Sequence, residues 1–203
     1  MGLVRRTGPG TKLKGKKVAI IVANEFEDIE LLYPFVRLSE EGAEIMIIPV
    51  KTGLHPRPAV PGKPVTGRYG TPIPLEVFGE GERYVIKNLN EVKPDDIDAL
   101  IIPGGFSPDS LRINKDVLEF VKKAYEAGKI IAAICHGPQV LISAGLVKGR
   151  RVTSYRAVKD DLINAGGIFV DEPAVRDDNI ITARVPDDLP EFCQMIIEAL
   201  LSK

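Results

Sequence analysis

Three short runs with no polar face, residues 18–23 (VAIIVA), 99–103 (ALIIP) and 130–134 (IIAAI), constrain this chain more than any other feature. A half-exposed strand alternates apolar with polar residues. A run that is apolar throughout suits a strand covered on both faces, at the centre of a parallel sheet. Between these runs the spacing becomes helical. After the first, Ile29, Leu32, Val36 and Leu38 roughly follow a helical repeat, with Gly42 as a stop and Pro34 expected to kink the helix. Asn114 opens another helix, with Val117, Leu118, Val121 and Tyr125 as its buried stripe and Gly128 at its end. Strands alternating with helices predict an α/β fold: a mostly parallel sheet with helices on both faces and its active site at the carboxyl ends of the strands. Glu27, the pair Gly104-Gly105, and Cys135 each follow one of the apolar runs, so all three are expected at one edge of the sheet.

The remaining elements are weaker. Residues 45–50 read as a second buried strand. Residues 52–74, dense in Pro and Gly, read as a long surface excursion carrying a short strand or two and available for an oligomer contact. A hairpin is expected from residues 75–78 and 84–86 around Gly79-Glu80-Gly81. Short strands are predicted at 151–154, 168–170, 174–175 and 180–183, and helices at 158–165 and 189–201. With 203 residues and 44% hydrophobic content, one domain over residues 17–203 is the expectation, after a basic, Gly-rich leader at 1–16.

The balance of charge narrows the partners. A formal net charge of -1, from 27 basic and 28 acidic side chains, gives no global field for nucleic acid or an anionic membrane. No segment has the length and apolarity of a signal core or membrane span, so a cytosolic protein is expected. Cys135 and Cys193 are the only cysteines and His55 and His136 the only histidines, too few for a disulfide scaffold or a cysteine-rich zinc site. Neither a phosphate-binding Walker loop nor a GxGxxG fingerprint is present, so no cofactor and no metal is expected.

Chemistry concentrates at Lys129–Gly145 (KIIAAICHGPQVLISAG), an apolar strand that breaks at Cys135-His136-Gly137 and restarts as a helix near Pro138. A cysteine there is lifted off the sheet edge and aimed at a helix start, where backbone N–H groups favour the thiolate. Cys135 is therefore the candidate nucleophile. Cys193, among Phe192, Ile196 and Ile197, reads as core filler, and His55 as a solvated loop residue. His136 is the candidate base, although neighbours at a tight turn can point apart. The backbone N–H groups of Gly105 and His136 are the candidate oxyanion donors. Glu27 and Asp109 also have ordinary readings as helix-start acids.

The block Ala133-Ile134-Cys135-His136-Gly137-Pro138-Gln139 resembles the ThiJ/PfpI family, specifically its intracellular cysteine peptidase branch. Residues 23–28 (ANEFED), 100–105 (LIIPGG), 153–155 (TSY) and 159–166 (KDDLINAG) support the resemblance. It implies a flavodoxin-like three-layer sandwich, related to the class I glutamine amidotransferases, that forms homo-oligomers from dimer to hexamer with active sites at subunit interfaces. It also implies roles: Cys135 as nucleophile, His136 as its partner, Glu27 as the carboxyl beside the sulfur, and Asp109 as a triad acid reaching a neighbouring subunit's site. Many relatives carry Glu at the Asp109 position. The function implied first is peptide hydrolysis. The alternatives are a cofactor-free glyoxalase or deglycase acting on a small aldehyde, and a redox-sensing stress protein without turnover.

Overall fold

The computed structural model describes residues 12–51, 65–81 and 83–203. In chain order its elements are β1 (Lys17–Val22), α1 (Asp28–Glu40), β2 (Glu44–Pro49), β3 (Val65–Thr66), β4 (Pro72–Ile73), β5 (Tyr84–Ile86), β6 (Ala99–Ile102), α2 (Ser107–Leu111), α3 (Lys115–Glu126) and β7 (Ile130–Ile134). There follow α4 (Pro138–Ser143), β8 (Arg151–Val152), α5 (Lys159–Asn164), β9 (Ile168–Phe169), β10 (Ala174–Asp177), β11 (Ile180–Ala183) and α6 (Leu189–Leu201). The main sheet has seven strands in the order β10-β11-β7-β6-β1-β2-β5, and every pairing in it is parallel except β10 with β11.

The apolar runs occupy the middle of this sheet, where every residue of β6 and β7 and all of β1 after Lys17 is buried. Their side chains alternate between two cores. Val18, Ile20 and Val22 join one with α1 and α6, whereas Ala19 and Ile21 join another with α3, α4 and α5. Each such Val or Ile side chain contributes roughly 1.5–3 kcal/mol by leaving water. Two apolar faces on one sheet force helices onto both, which gives the three-layer sandwich.

Chain direction across the sheet reverses at β1: β2 lies on one side of it and β6 on the other. The crevice outside the carboxyl ends of β1 and β6 is thus a topological switch point, where such folds bind ligands. The turns after β1, β6 and β7 all open there.

Three local expectations change. Residues 75–78 form no strand, and β5 pairs in parallel with β2 rather than in a hairpin. Outside the main sheet, β8 pairs in parallel with β9. On α1 the buried face is Glu30, Leu31, Pro34, Phe35 and Leu38, while Ile29 and Val36 are exposed. The packing of Phe35 edge-on against Phe78 and Tyr84 fixes that rotation. The helix runs through Pro34 as one element. From the leader, Leu13 is fully buried, and its N–H donates to Glu41 O at 2.7 Å. His55 and residues 52–64 lie outside the described residues.

Candidate active site

Cys135 sits between β7 and α4 with φ +61°, a left-handed backbone that costs a non-glycine residue about 1 to 3 kcal/mol. The surroundings enforce it. Its N–H donates to Ala183 O at 3.0 Å, extending the β7–β11 ladder by one residue, and its carbonyl accepts the Tyr155 N–H at 2.9 Å. Gly137 then packs so tightly that a Cβ there would lie 2.3 Å from Ile102 O. The strand is therefore held up to the cysteine and turned sharply after it, which leaves the thiol half-buried at the switch point.

The carboxyl beside the sulfur is Glu30, not Glu27. Glu30 lies in the first turn of α1 on its buried face and is 0% exposed. Its Oε2 accepts the Gly104 N–H at 2.6 Å. Its Oε1 is buried without a hydrogen-bond partner among the described residues, and the Cys135 thiol is near enough to bear on the carboxyl's protonation. Burial raises the Glu30 pKa to about 7, opposed by the Gly104 N–H and reinforced by the charge of Glu27. Burial also pushes the Cys135 thiol up, and an ionised Glu30 pushes it further, so the two groups compete for one proton.

Two N–H groups work the other way. Those of Gly105 and His136 act on the sulfur to lower its pKa and so favour its thiolate. The Gly105 N–H is aimed there because its neighbours are committed: Phe106 N–H donates to Glu25 O at 2.8 Å, and Gly104 O accepts the Glu27 N–H at 3.2 Å. Gly105 has φ +69°, and a Cβ on it would lie 2.3 Å from Glu25 O. A Cβ on Gly104 would lie 2.7 Å from Cys135 Cβ and 2.8 Å from Glu30 Oε2. The glycine pair is what lets the three groups meet.

His136 Nδ1 lies 3.3 Å from Cys135 Sγ, so the imidazole does face the sulfur. Its ring stands 5.0 Å from that of Tyr155, tilted by 32°. Burial lowers its pKa; the nearby charge of Asp109 opposes this and that of Arg68 adds to it, so the ring is neutral at pH 7. Asp109, exposed on α2, makes no hydrogen bond to His136 among the described residues. Within one chain its influence on the ring is that of a nearby charge.

Glu27 instead pairs with Arg68, whose Nη1 donates to Glu27 Oε2 at 2.8 Å. Arg68 sits in the turn between β3 and β4, which is bound to the start of α1 through backbone and buried acids. The Asp28 carboxylate accepts the N–H groups of Tyr69 and Thr71, both at 2.9 Å, and Asn24 Oδ1 accepts that of Thr66 at 2.9 Å. Gly67 leaves no room for a side chain, since a Cβ would meet the Asp28 carboxyl at 2.5 Å.

These features can be set beside known proteins. The DJ-1/PfpI family model matches residues 16–199. The chain belongs to the DJ-1/PfpI family. It is 41% identical to a Pyrococcus abyssi protein named as a deglycase and 39% identical to deglycase PfpI of Pyrococcus furiosus, each over 91% of this chain and 99% of the relative. It is also 41% identical to YraA of Bacillus subtilis, named as a candidate cysteine protease, over 87% of this chain and 94% of the relative. Among solved structures, Drosophila melanogaster DJ-1beta aligns with TM-score 0.76 and 26% identity over 93% of this chain and 91% of that one. A two-domain protein from Anabaena variabilis, with DJ-1/ThiJ/PfpI-like and ferritin-like domains, aligns with TM-score 0.75 and 34% identity, covering 91% of this chain and half of that chain.

For a DJ-1/PfpI chain, the sequence reading brings Cys135, His136 and Gly105 together as expected and misplaces the carboxyl. Glu30 and Arg68 were both missed. Glu30 had a legible signal: it falls on the repeat 27, 30, 31, 34, 35, 38, an acid on the stripe that carries Leu31, Phe35 and Leu38. Arg68 had none, because only the fold brings residue 68 to the start of α1.

Proposed function

We propose that this protein is a cofactor-free, cysteine-dependent carbonyl-processing enzyme of the deglycase or glyoxalase type. Cys135 would add to the aldehyde carbon of a dicarbonyl such as methylglyoxal, free or as an adduct, and Glu30 would move the proton. The observation that carries this reading is Glu30 itself: a carboxyl buried against the thiol, with its pKa raised to about 7. An acid–base group works best with its pKa near the working pH, where it can both take and return a proton.

The steps balance without a cofactor. The sulfur forms a bond to the aldehyde carbon, and the carbonyl oxygen becomes the hydroxyl of a hemithioacetal near the N–H groups of Gly105 and His136. The Glu30 carboxylate takes the proton from that carbon, and the resulting enediol is reprotonated at the next carbon, giving a thioester of lactate. Water releases lactate and restores the thiol. The net change is the addition of one water to methylglyoxal.

Peptide hydrolysis, the function first implied by the sequence, remains the second reading. The contact of 3.3 Å between Cys135 and His136 and the name of YraA favour it. It needs an oriented histidine that can protonate a leaving amine, and within one chain burial keeps His136 neutral with no bonded carboxylate behind it among the described residues. In that reading Asp109 would come from a neighbouring subunit of a homo-oligomer. Either chemistry suits a reducing cytosol, where both cysteines stay thiols. The test is lactate formation from methylglyoxal, run beside cleavage of a fluorogenic peptide, with wild type and Cys135→Ala. Lactate made by wild type alone is expected. Peptide cleavage that depends on Cys135, without lactate, would overturn the proposal in favour of the peptidase.

A further inference from the structure

The acids around Cys135 leave one charged feature without a task. Glu27, Glu30 and Asp109 are all acids, and among the described residues the cation whose charge bears on both Glu30 and His136 is Arg68. It is built into the lip of the site. The Arg68 N–H donates to Phe26 O at 3.0 Å, and Phe26 bridges Gly67 on one side and Gly105 on the other. The backbone around residue 68 is therefore one step across the bridge from the N–H that faces the sulfur. The guanidinium lies with its Cζ 5.3 Å above the ring of Phe106, the residue after Gly105.

Holding the hairpin does not need this side chain. The bonds from Thr66, Tyr69 and Thr71 to Asn24 and Asp28, and the close fit of Gly67, anchor it independently. Glu27 occupies one edge of the guanidinium and is only 13% exposed, while the Arg68 side chain is 34% exposed and its other donors have no partner among the described residues. A planar fork of donors with a free edge is suited to a carboxylate.

We propose that Arg68 is a specificity-determining residue of the Cys135 site, binding a carboxylate carried by the substrate, so that the preferred substrates are dicarbonyl adducts of carboxylate-bearing thiols or amines rather than neutral ones. This rests on the deglycase reading for the identity of the substrate, but not for the anion site itself. Two experiments separate them.

The first compares the methylglyoxal hemithioacetals of N-acetylcysteine and of its neutral amide. In Arg68→Met the ratio of kcat/KM for acid over amide should fall about tenfold, through KM of the acid adduct, with Arg68→Lys in between. The second needs no turnover. Cys135 is alkylated by iodoacetate or by iodoacetamide; in both the sulfur bonds the methylene carbon and iodide leaves. The ratio of the two rates should fall roughly fivefold or more in Arg68→Met. Equal losses with charged and neutral partners would assign Arg68 a purely structural role and overturn the proposal, as would an unchanged alkylation ratio. If wild type turns over neither adduct while the alkylation ratio falls, the deglycase reading fails and the anion site stands.

Discussion

The elbow at Cys135 and the first turn of α1 supply the two halves of one site by opposite means. At the elbow strand, cysteine, tight glycine and helix are consecutive in sequence, and the strained φ of +61° is held by backbone bonds to Ala183 and Tyr155. At the start of α1 the carboxylates of Glu27, its capping residue, and Glu30 lie three residues apart, and the direction each faces separates their fates. Glu27 faces the hairpin and pairs with Arg68, while Glu30 faces the core, meets the sulfur and has its pKa raised to about 7. The nucleophile's turn is thus written in consecutive residues, whereas the choice of proton carrier is made by the packing of a helix. A change in the packing of α1 should cost proton transfer before it costs the thiol.

The comparison can be broken most severely at the elbow. Cys135→Ala should lower lactate formation at least about 10³-fold, as expected when a covalent nucleophile is removed. Next is Glu30→Gln, which keeps the acceptor for the Gly104 N–H but cannot carry a proton. It should lower kcat by roughly 10²-fold or more while Cys135 remains open to alkylation by iodoacetamide. The same variant sharpens the argument through stability. A carboxyl whose pKa rises from 4.5 to about 7 on folding stabilises most below pH 4.5, and that benefit is lost as pH rises through 7. Denaturant melts should therefore show Glu30→Gln gaining on wild type by up to about 3 kcal/mol above pH 7, and little below pH 4.5.

Gly104→Ala tests the space between the two halves. Its Cβ would press on Cys135, Glu30 and the His136 backbone N, so a loss of about 1 to 3 kcal/mol in urea melts is expected, with reduced turnover. The smallest effect belongs to Glu27→Gln. A partly exposed pair with Arg68 is worth about 1 kcal/mol or less, so kcat should change less than about fivefold. A loss as large as that of Glu30→Gln would return the proton-carrying role to Glu27.

What could be read from the chain follows the same division. The fully apolar β1, β6 and β7, the elbow and the final helix were legible because each is written in consecutive residues. The stripe of α1 was misread because Ile29 and Val36, apolar but exposed, outweighed an acid in judging which face is buried, and the contacts of Phe35 with Phe78 and Tyr84 decide it. β5 was misread as half of a hairpin because its partner, β2, lies across the Pro-rich excursion. The Arg68 turn is held by Asp28 and Asn24 across some forty positions, a relation no local pattern records.

The central claim is that Glu30 carries the proton for Cys135, and its most direct test is the pH dependence of lactate formation by wild type and Glu30→Gln, from about pH 5 to pH 9. The wild-type rate should rise with pH through about 7, as the carboxylate forms, and then level off, while the variant, slow throughout, lacks that limb. A wild-type profile with no inflection near 7, or a variant that keeps the same limb at a similar rate, would contradict the account.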